Sequence, residues 1–195
     1  MATKRPKPRI TPPSEDQFTE AQKALRDAIA SGPRAQYRPH GPFGIWMAAP
    51  EFGKLAQELG GFARYKTSVP PRLSEFAILC TARMWRAQYE WIAHAPIAEK
   101  AGVKPETIRA VQSGRRPETA PQDELAIYDF VRELYRDRRV GDTLYKRVHK
   151  LFGDGGMVEF IGILGYYAMI SMTLNVFRPA IEEDKPLPFK EPVPA

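Results

Sequence analysis

Glu90 and His94 stand four residues apart in the stretch Tyr89-Glu90-Trp91-Ile92-Ala93-His94-Ala95-Pro96. On a helix that spacing places a carboxylate and an imidazole on one face. Imidazole titrates near neutral pH, and a carboxylate beside it tunes or orients it. Such a pair can move protons with neither metal nor thiol. The same spacing also suits a structural ion pair, or a core histidine with a satisfied hydrogen bond. A second carboxylate, Glu75, precedes Glu90 by 15 residues. On an unbroken helix the two would stand about 22 Å apart at 1.5 Å per residue. They meet only if the chain turns between Trp85 and Gln88. Pro96 adds an irregularity near His94, because it has no N–H to give to the carbonyl of Ile92.

Other familiar chemistries are missing. The sequence holds no Gly-rich phosphate loop, no Gly-x-Ser-x-Gly and no His-Glu-x-x-His. Of the three histidines, His149 stands among Lys146, Arg147 and Lys150 on what reads as a solvated face, and His40 sits in a loop rich in aromatics. No set of His and carboxylates has convincing metal-ligand spacing, and no cofactor is implied. Cys80 is the single cysteine, so neither an internal disulfide nor a zinc-thiolate cluster can form.

The elements that must position these groups read as helices throughout. Ser14-Glu15-Asp16-Gln17 has the form of a capping box that opens a helix to about Ser31. Residues 34–48 read as a loop carrying Tyr37, Phe43 and Trp46. A short helix is expected from Pro50 to about Leu59, closed by Gly60-Gly61. Pro70-Pro71 opens the next, whose inward face is Phe76, Leu79, Cys80 and Arg83-Met84. The Glu90/His94 stretch follows and ends at Gly102. Pro105 starts a helix with Ile108 and Val111 inward. After a polar loop, Pro121 to about Arg138 places Ile127, Tyr128, Val131, Leu134 and Tyr135 on one side. Asp142 caps a helix with Leu144, Val148, Leu151 and Phe152 inward. A turn at Gly153–Gly156 leads to a long apolar helix. No useful strand-like alternation is present. The fold class is all-α, about seven helices in a single domain over 14–178. A basic, Pro-rich leader (1–13), expected to be disordered, precedes it, and a Pro-rich tail (179–195) follows.

With 43% apolar and 11% aromatic residues, 195 residues support one soluble domain with a real core. The net charge of +6 owes part of its excess to Lys4, Arg5, Lys7 and Arg9. Four charges interleaved with prolines argue for a solvated leader. They do not argue for nucleic-acid or membrane binding. The N-terminus lacks the apolar run of a signal peptide, so the expected location is cytoplasmic. Phe160 to Phe177 carries no charge and approaches a membrane span in length. Its Ser171, Thr173, Asn175, tyrosines and glycines suit a central bundle helix or a subunit interface better.

The run Glu75-x11-Ala87-x2-Glu90-x3-His94, followed by Ala98 and Gly102-Val103, resembles the carboxymuconolactone decarboxylase and alkylhydroperoxidase D superfamily. So do Gly41-Pro42-Phe43-Gly44-Ile45-Trp46 through Pro50-Glu51, Gln88-Tyr89-Glu90-Trp91-x2-His94, Gly165-Tyr166-Tyr167 and Met172-Thr173-Leu174-Asn175. The resemblance covers about residues 18–178 and implies that superfamily's helical bundle. In the hydroperoxidase branch the motif is Glu-x11-Cys-x2-Cys-x3-His; here Ala87 and Glu90 occupy the two Cys positions. Dithiol peroxide reduction needs an attacking thiolate and a resolving thiol, and neither position supplies one. Thiol peroxidase activity is therefore disfavoured. The chain is placed instead in the decarboxylase-like branch that lacks the Cys pair.

The resemblance implies a cofactor-free lyase acting on a small lactone or cyclic carboxylate. Glu90, His94 and Glu75 would be its catalytic residues: His94 to deliver the proton, Glu90 to orient it or share the acid–base work, Glu75 to relay or orient behind them. Trp46 and Phe43 are the expected pocket walls. Arg83 and Arg86 are the candidates to hold the substrate carboxylate. The same scaffold and pair would also serve an isomerase, a lactone hydrolase or an aldehyde-releasing carbon–carbon lyase. A non-catalytic oligomeric binding protein, its basic tail on an acidic partner, is the alternative of another class. The implied partners are a small carboxylate or lactone and further copies of the chain, as a trimer, a multiple of it, or a dimer. Neither nucleic acid nor membrane is among them.

Overall fold

The computed structural model describes residues 7–33, 37–182 and 184–190, and these are all-α, without a strand. A 3-10 turn at Glu15–Gln17 precedes α1 (Glu20–Ser31), α2 (Gly41–Trp46), α3 (Pro50–Tyr65), α4 (Pro71–Trp85), α5 (Gln88–Lys100), α6 (Pro105–Gln112), α7 (Gln122–Asp137) and α8 (Asp142–Phe177). Helix α4 is the hub. Every residue from Leu73 to Ala82 is buried, and α5, α7 and α8 pack around it. Phe76, Ile78 and Leu79 of α4, Ile127 of α7, and Phe160, Ile163 and Leu164 of α8 form the fully enclosed centre.

Several boundaries differ from those expected, each for a local reason. The capping box belongs to Thr19, not Ser14. The Thr19 hydroxyl accepts from the Gln22 amide at 3.3 Å, and the Gln22 side chain accepts from the Thr19 amide at 2.9 Å. Phe18 is buried from extended backbone just before this cap, which separates the 3-10 turn from the helix. The stretch expected to be a loop contains α2, with Pro42 in its first turn and Ile45 and Trp46 buried. Helix α3 runs through Gly60-Gly61 to Tyr65. There Gly60 is a packing residue: a Cβ on it would lie 2.0 Å from the Tyr166 hydroxyl. The expected turn at 153–156 contracts to Gly153 alone. Its φ of 64° and ψ of −175° break α8 into two helical segments, a conformation suited to glycine. Met84 and Leu151, read as inward, are 44% and 40% exposed.

The turn between α4 and α5 lies where the shared-site idea requires it. Arg86 takes a left-handed conformation (φ 49°, ψ 38°), and the Ala87 amide reaches back to the Ala82 carbonyl at 2.9 Å. This is the six-to-one bond of a Schellman closure. Helix α5 starts two residues later and folds back along α4.

The termini pack partly onto this frame. Residues 1–6 of the leader, 183 and 191–195 lie outside the described residues. Arg9 donates from its backbone N–H to the Phe177 carbonyl (2.9 Å) and from its guanidinium to the Val176 carbonyl (3.0 Å), so a cation caps the C-terminus of α8. In the tail, Phe189 is buried. The Gln88 side chain donates to its carbonyl at 2.7 Å and accepts from its amide at 3.0 Å.

Helix α8 is long and apolar enough to cross a membrane, yet half of its most apolar window is buried inside the domain. Much of the remainder forms an exposed stripe of Val158, Ile161, Met172 and Val176. Phe52, Leu55, Leu59 and Phe62 make a second stripe on neighbouring α3.

Candidate active site

The reversal after Trp85 brings Glu75, Glu90 and His94 together. Helix α4 supplies Glu75 and α5 supplies the other two, one helical turn apart. Glu75 Oε2 lies 2.6 Å from His94 Nδ1, and Glu90 Oε1 lies 3.1 Å from His94 Nε2. The imidazole thus bridges two carboxylates, one on each ring nitrogen. Only 4–6% of each of the three residues is exposed. Tyr167 of α8 closes the site from a third side, its ring edge-on to His94 with centroids 5.1 Å apart and planes at 84°. Helix α5 continues through Pro96.

Opposing effects set the charge on His94. Burial pulls its pKa down. The charge of Glu90, the hydrogen bonds to Glu75 and Glu90 and the charge of Glu75 outweigh that and carry it from 6.5 up to about 9. At neutral pH His94 is therefore an imidazolium that donates to both carboxylates. Tyr167 is pushed well above its ordinary range, chiefly by burial and then by the charge of Glu90, so it stays a neutral phenol.

Arg64, from the last turn of α3, is the cation nearest this group among the described residues. Its Nε lies 3.8 Å from Glu75 Oε1, and its guanidinium carbon stands 5.2 Å from the centroid of the Tyr65 ring. The two arginines singled out from sequence are placed elsewhere. Arg83 lies over the Phe189 ring at 5.2 Å, with its guanidinium packed against Gly114. It is two helical turns past Glu75, about 12 Å along α4. Arg86 is exposed at the turn. Trp46 is buried and makes edge-on contacts with Phe43 (5.6 Å) and Phe52 (6.3 Å). Its indole N–H is buried without a partner among the described residues. These contacts join Trp46 to α2 and α3 and include none with the three central residues.

Arg64 and Tyr167 are the two site neighbours to which sequence reasoning gave no role. The signal for Arg64 was its register: Gly53, Gln57 and Gly60 are buried on α3, and Arg64 continues that face at helical spacing. Tyr167 stood within one of the stretches that carried the resemblance.

Cys80 lies inside the core, and burial, followed by the charge of Glu124, pushes its thiol well above the usual range. Ala87 is a buried alanine at the start of α5. No group of three or more His, Cys, Asp or Glu among the described residues is arranged to hold a metal ion. In the central site each histidine nitrogen is already committed to a different carboxylate.

The fold and site define an all-helical domain built around a buried carboxylate–imidazole–carboxylate bridge. Residues 50–120, which carry Arg64, Glu75, Glu90 and His94, match the sequence model of the Carboxymuconolactone decarboxylase family. No curated protein matches the chain.

Proposed function

We propose that the protein is a cofactor-independent lyase that removes CO₂ from a small lactone or cyclic carboxylate by proton transfer from His94. The observation that carries this reading is the position of His94 between two carboxylates held with unequal closeness. Glu75, at 2.6 Å, is the anchor that fixes the ring through Nδ1. Glu90, at 3.1 Å, holds the other nitrogen more loosely and is the partner that yields. When the carbon–carbon bond to the carboxylate breaks, its electron pair passes into the substrate's conjugated system as a dienolate. The Nε2 proton of His94 goes to carbon, and neutral His94 is recharged through Glu90 from solvent. Both carboxylates stabilise the charged donor between turnovers, and Tyr167 keeps water away from it. A donor that is fully charged at neutral pH and enclosed from solvent suits protonation of a carbanion.

This assignment differs in emphasis from the sequence expectation. Glu75 takes the orienting role first given to Glu90, and Glu90 becomes the exchangeable group. Self-association and a cytoplasmic location belong to the same reading. The exposed apolar stripes on α3 and α8 are wide for one small soluble domain, and a second copy, in a trimer or its multiple or in a dimer, would cover them. Light scattering at micromolar concentration without detergent checks this, and a monomer would contradict it.

The chemical test uses D₂O and a panel of small unsaturated lactones and cyclic carboxylates, followed by mass spectrometry. A lyase is expected to give a product lighter by CO₂ with one deuterium on carbon. Deuterium incorporated without loss of mass would transfer the reading to an isomerase. No exchange with any panel member, or exchange unchanged in well-folded His94→Gln, would overturn the proton-transfer site.

A further inference from the structure

We infer that Arg64 is the residue that binds the substrate's carboxylate, and that the site selects small monoanionic carboxylates over their neutral analogues. This rests on the proton-transfer reading of the same site but is decided by binding alone. Three observations support it. First, charge: Glu75, Glu90 and an imidazolium sum to −1, which would repel an anionic ligand. Arg64 beside Glu75 restores neutrality and is the cation within reach of the group among the described residues. Second, its donors are unspent. The 3.8 Å approach to Glu75 is an ion pair but too long for a hydrogen bond, and the guanidinium makes no hydrogen bond among the described residues. Glu75 meanwhile uses its other oxygen, Oε2, on His94. A guanidinium carries five N–H groups in a planar fork that matches a carboxylate. Third, position: the Arg64 side chain is 25% exposed whereas that of Glu75 is 7%. Arg64 therefore spans from the surface of α3 to the enclosed carboxylate. Stacking against Tyr65 steadies the guanidinium without consuming its in-plane donors.

A structural ion pair would look different. A purely structural arginine beside a carboxylate is expected to fork onto it, as Arg116 does onto partly buried Asp129 with two hydrogen bonds of 2.8 Å. At Glu75 the fork is left open. An incoming carboxylate can take two N–H groups of Arg64 while Glu75 keeps His94 through its other oxygen.

The test measures binding of benzoate and cyclohexanecarboxylate, and of the two corresponding amides, to the full chain. Calorimetry gives affinity, and the His94 ring resonance, assigned with His94→Gln, reports location. Wild type is expected to bind the carboxylates at least about tenfold more tightly than the amides, with the His94 signal displaced. Arg64→Met is expected to lose about 10- to 100-fold in carboxylate affinity, the range set by one charge-assisted pair, and to leave amide binding unchanged. Arg64→Gln keeps a polar side chain at the position and is expected to behave alike, so it carries the comparison if the Met variant does not fold. Equal binding of acids and amides, no binding of either acid by wild type, or wild-type affinity for the acids in either variant would overturn the inference. Arg64-dependent binding without turnover of the lactone panel would sink the lyase reading and leave this one standing. Turnover with a KM indifferent to Arg64 would do the reverse.

Discussion

Helix α4 carries two ionic clusters one turn apart, and they differ in the cation at their centre. At the N-terminal end, Arg72 bridges Asp123 and Glu124 from the first turn of α7. One turn on, Glu75 meets His94, which bridges to Glu90. Each cluster centres one cation on two carboxylates, the second with Arg64 also beside Glu75, and both fasten α4 to a neighbour. Arg72 keeps its proton at any pH a protein survives, and its carboxylates raise its affinity for that proton further. That cluster can hold α7 in place but cannot exchange protons. His94 is held charged by its partners only up to about pH 9, within reach of a proton-transfer cycle. The same electrostatic motif is a clamp with guanidinium at its centre and a candidate acid with imidazole.

The sharpest way to break this distinction is to delete each cation in turn. His94→Gln is expected to lower kcat by about 10²- to 10⁴-fold, with a cooperative melt retained. The double variant His94→Gln/Glu90→Gln is expected to lose less than the product of the single effects, because the pair acts as a unit. Near-wild-type turnover in folded His94→Gln would make the two clusters equivalent clamps.

Arg72→Met is expected to do the opposite. Glu124 is 1% exposed, and burial already pushes its carboxyl up while Arg72 pulls it down. Without Arg72 the burial cost is unopposed. Removal of one partner from a buried pair costs about 3–5 kcal/mol; Arg72 is partly exposed, so the lower end applies. Denaturant midpoints measure this. A variant as stable as wild type would show that the Arg72 cluster is not what joins α4 to α7.

Sequence reading reached the two clusters unequally, for a physical reason. Glu90 and His94 are four apart on one helix, and a spacing of four is visible in a string of letters. Glu75 became part of the same site only through the break at Arg86, whose left-handed backbone no residue type there announces; glycine would have, arginine does not. The all-α class was legible because apolar residues recur at helical spacing in α7 and the second segment of α8. Helix α2 was not, because six residues with two glycines and a proline have little intrinsic helicity and are held by burial of Ile45 and Trp46. Arg83 and Arg86 were named for their closeness to Glu90 along the chain; the structure places Arg83 over Phe189 and Arg86 at the exposed turn. Helical spacing puts Arg64 on the inward face of α3, but which residue of α4 that face meets is set by tertiary packing, which sequence spacing does not encode. Arg72 with Asp123 and Glu124 went unremarked for the same reason.

A pH series sharpens the comparison further. The folded pKa of His94 lies above its unfolded value, so the charged bridge contributes stability that is complete below about pH 6.5. That contribution is lost as pH rises to about 9. The expected loss is on the order of 3 kcal/mol, read as a falling denaturant midpoint across that window. His94→Gln is expected to flatten the slope, and Arg72→Met is expected to keep it. A slope that survives in His94→Gln would place its origin outside the bridge.

The smallest expected effect is at Cys80, which lies beyond Glu75 on α4, in the enclosed middle of the helix. Its thiol is enclosed, and burial together with the charge of Glu124 raises its pKa well above the usual range. A thiol in that state is neither a nucleophile nor a resolving group. Cys80→Ser is therefore expected to leave turnover of any lactone or carboxylate substrate unchanged. Stability is expected to fall modestly, by about 1–3 kcal/mol, because a hydroxyl is buried where a thiol fitted. Peroxide consumption with a dithiol donor is expected to be absent in both proteins. A peroxide rate abolished by Cys80→Ser would mean that the enclosed segment of α4 opens in solution. The contrast between a fixed clamp and an exchanging site would then fail at its premise, since both clusters depend on α4 staying closed.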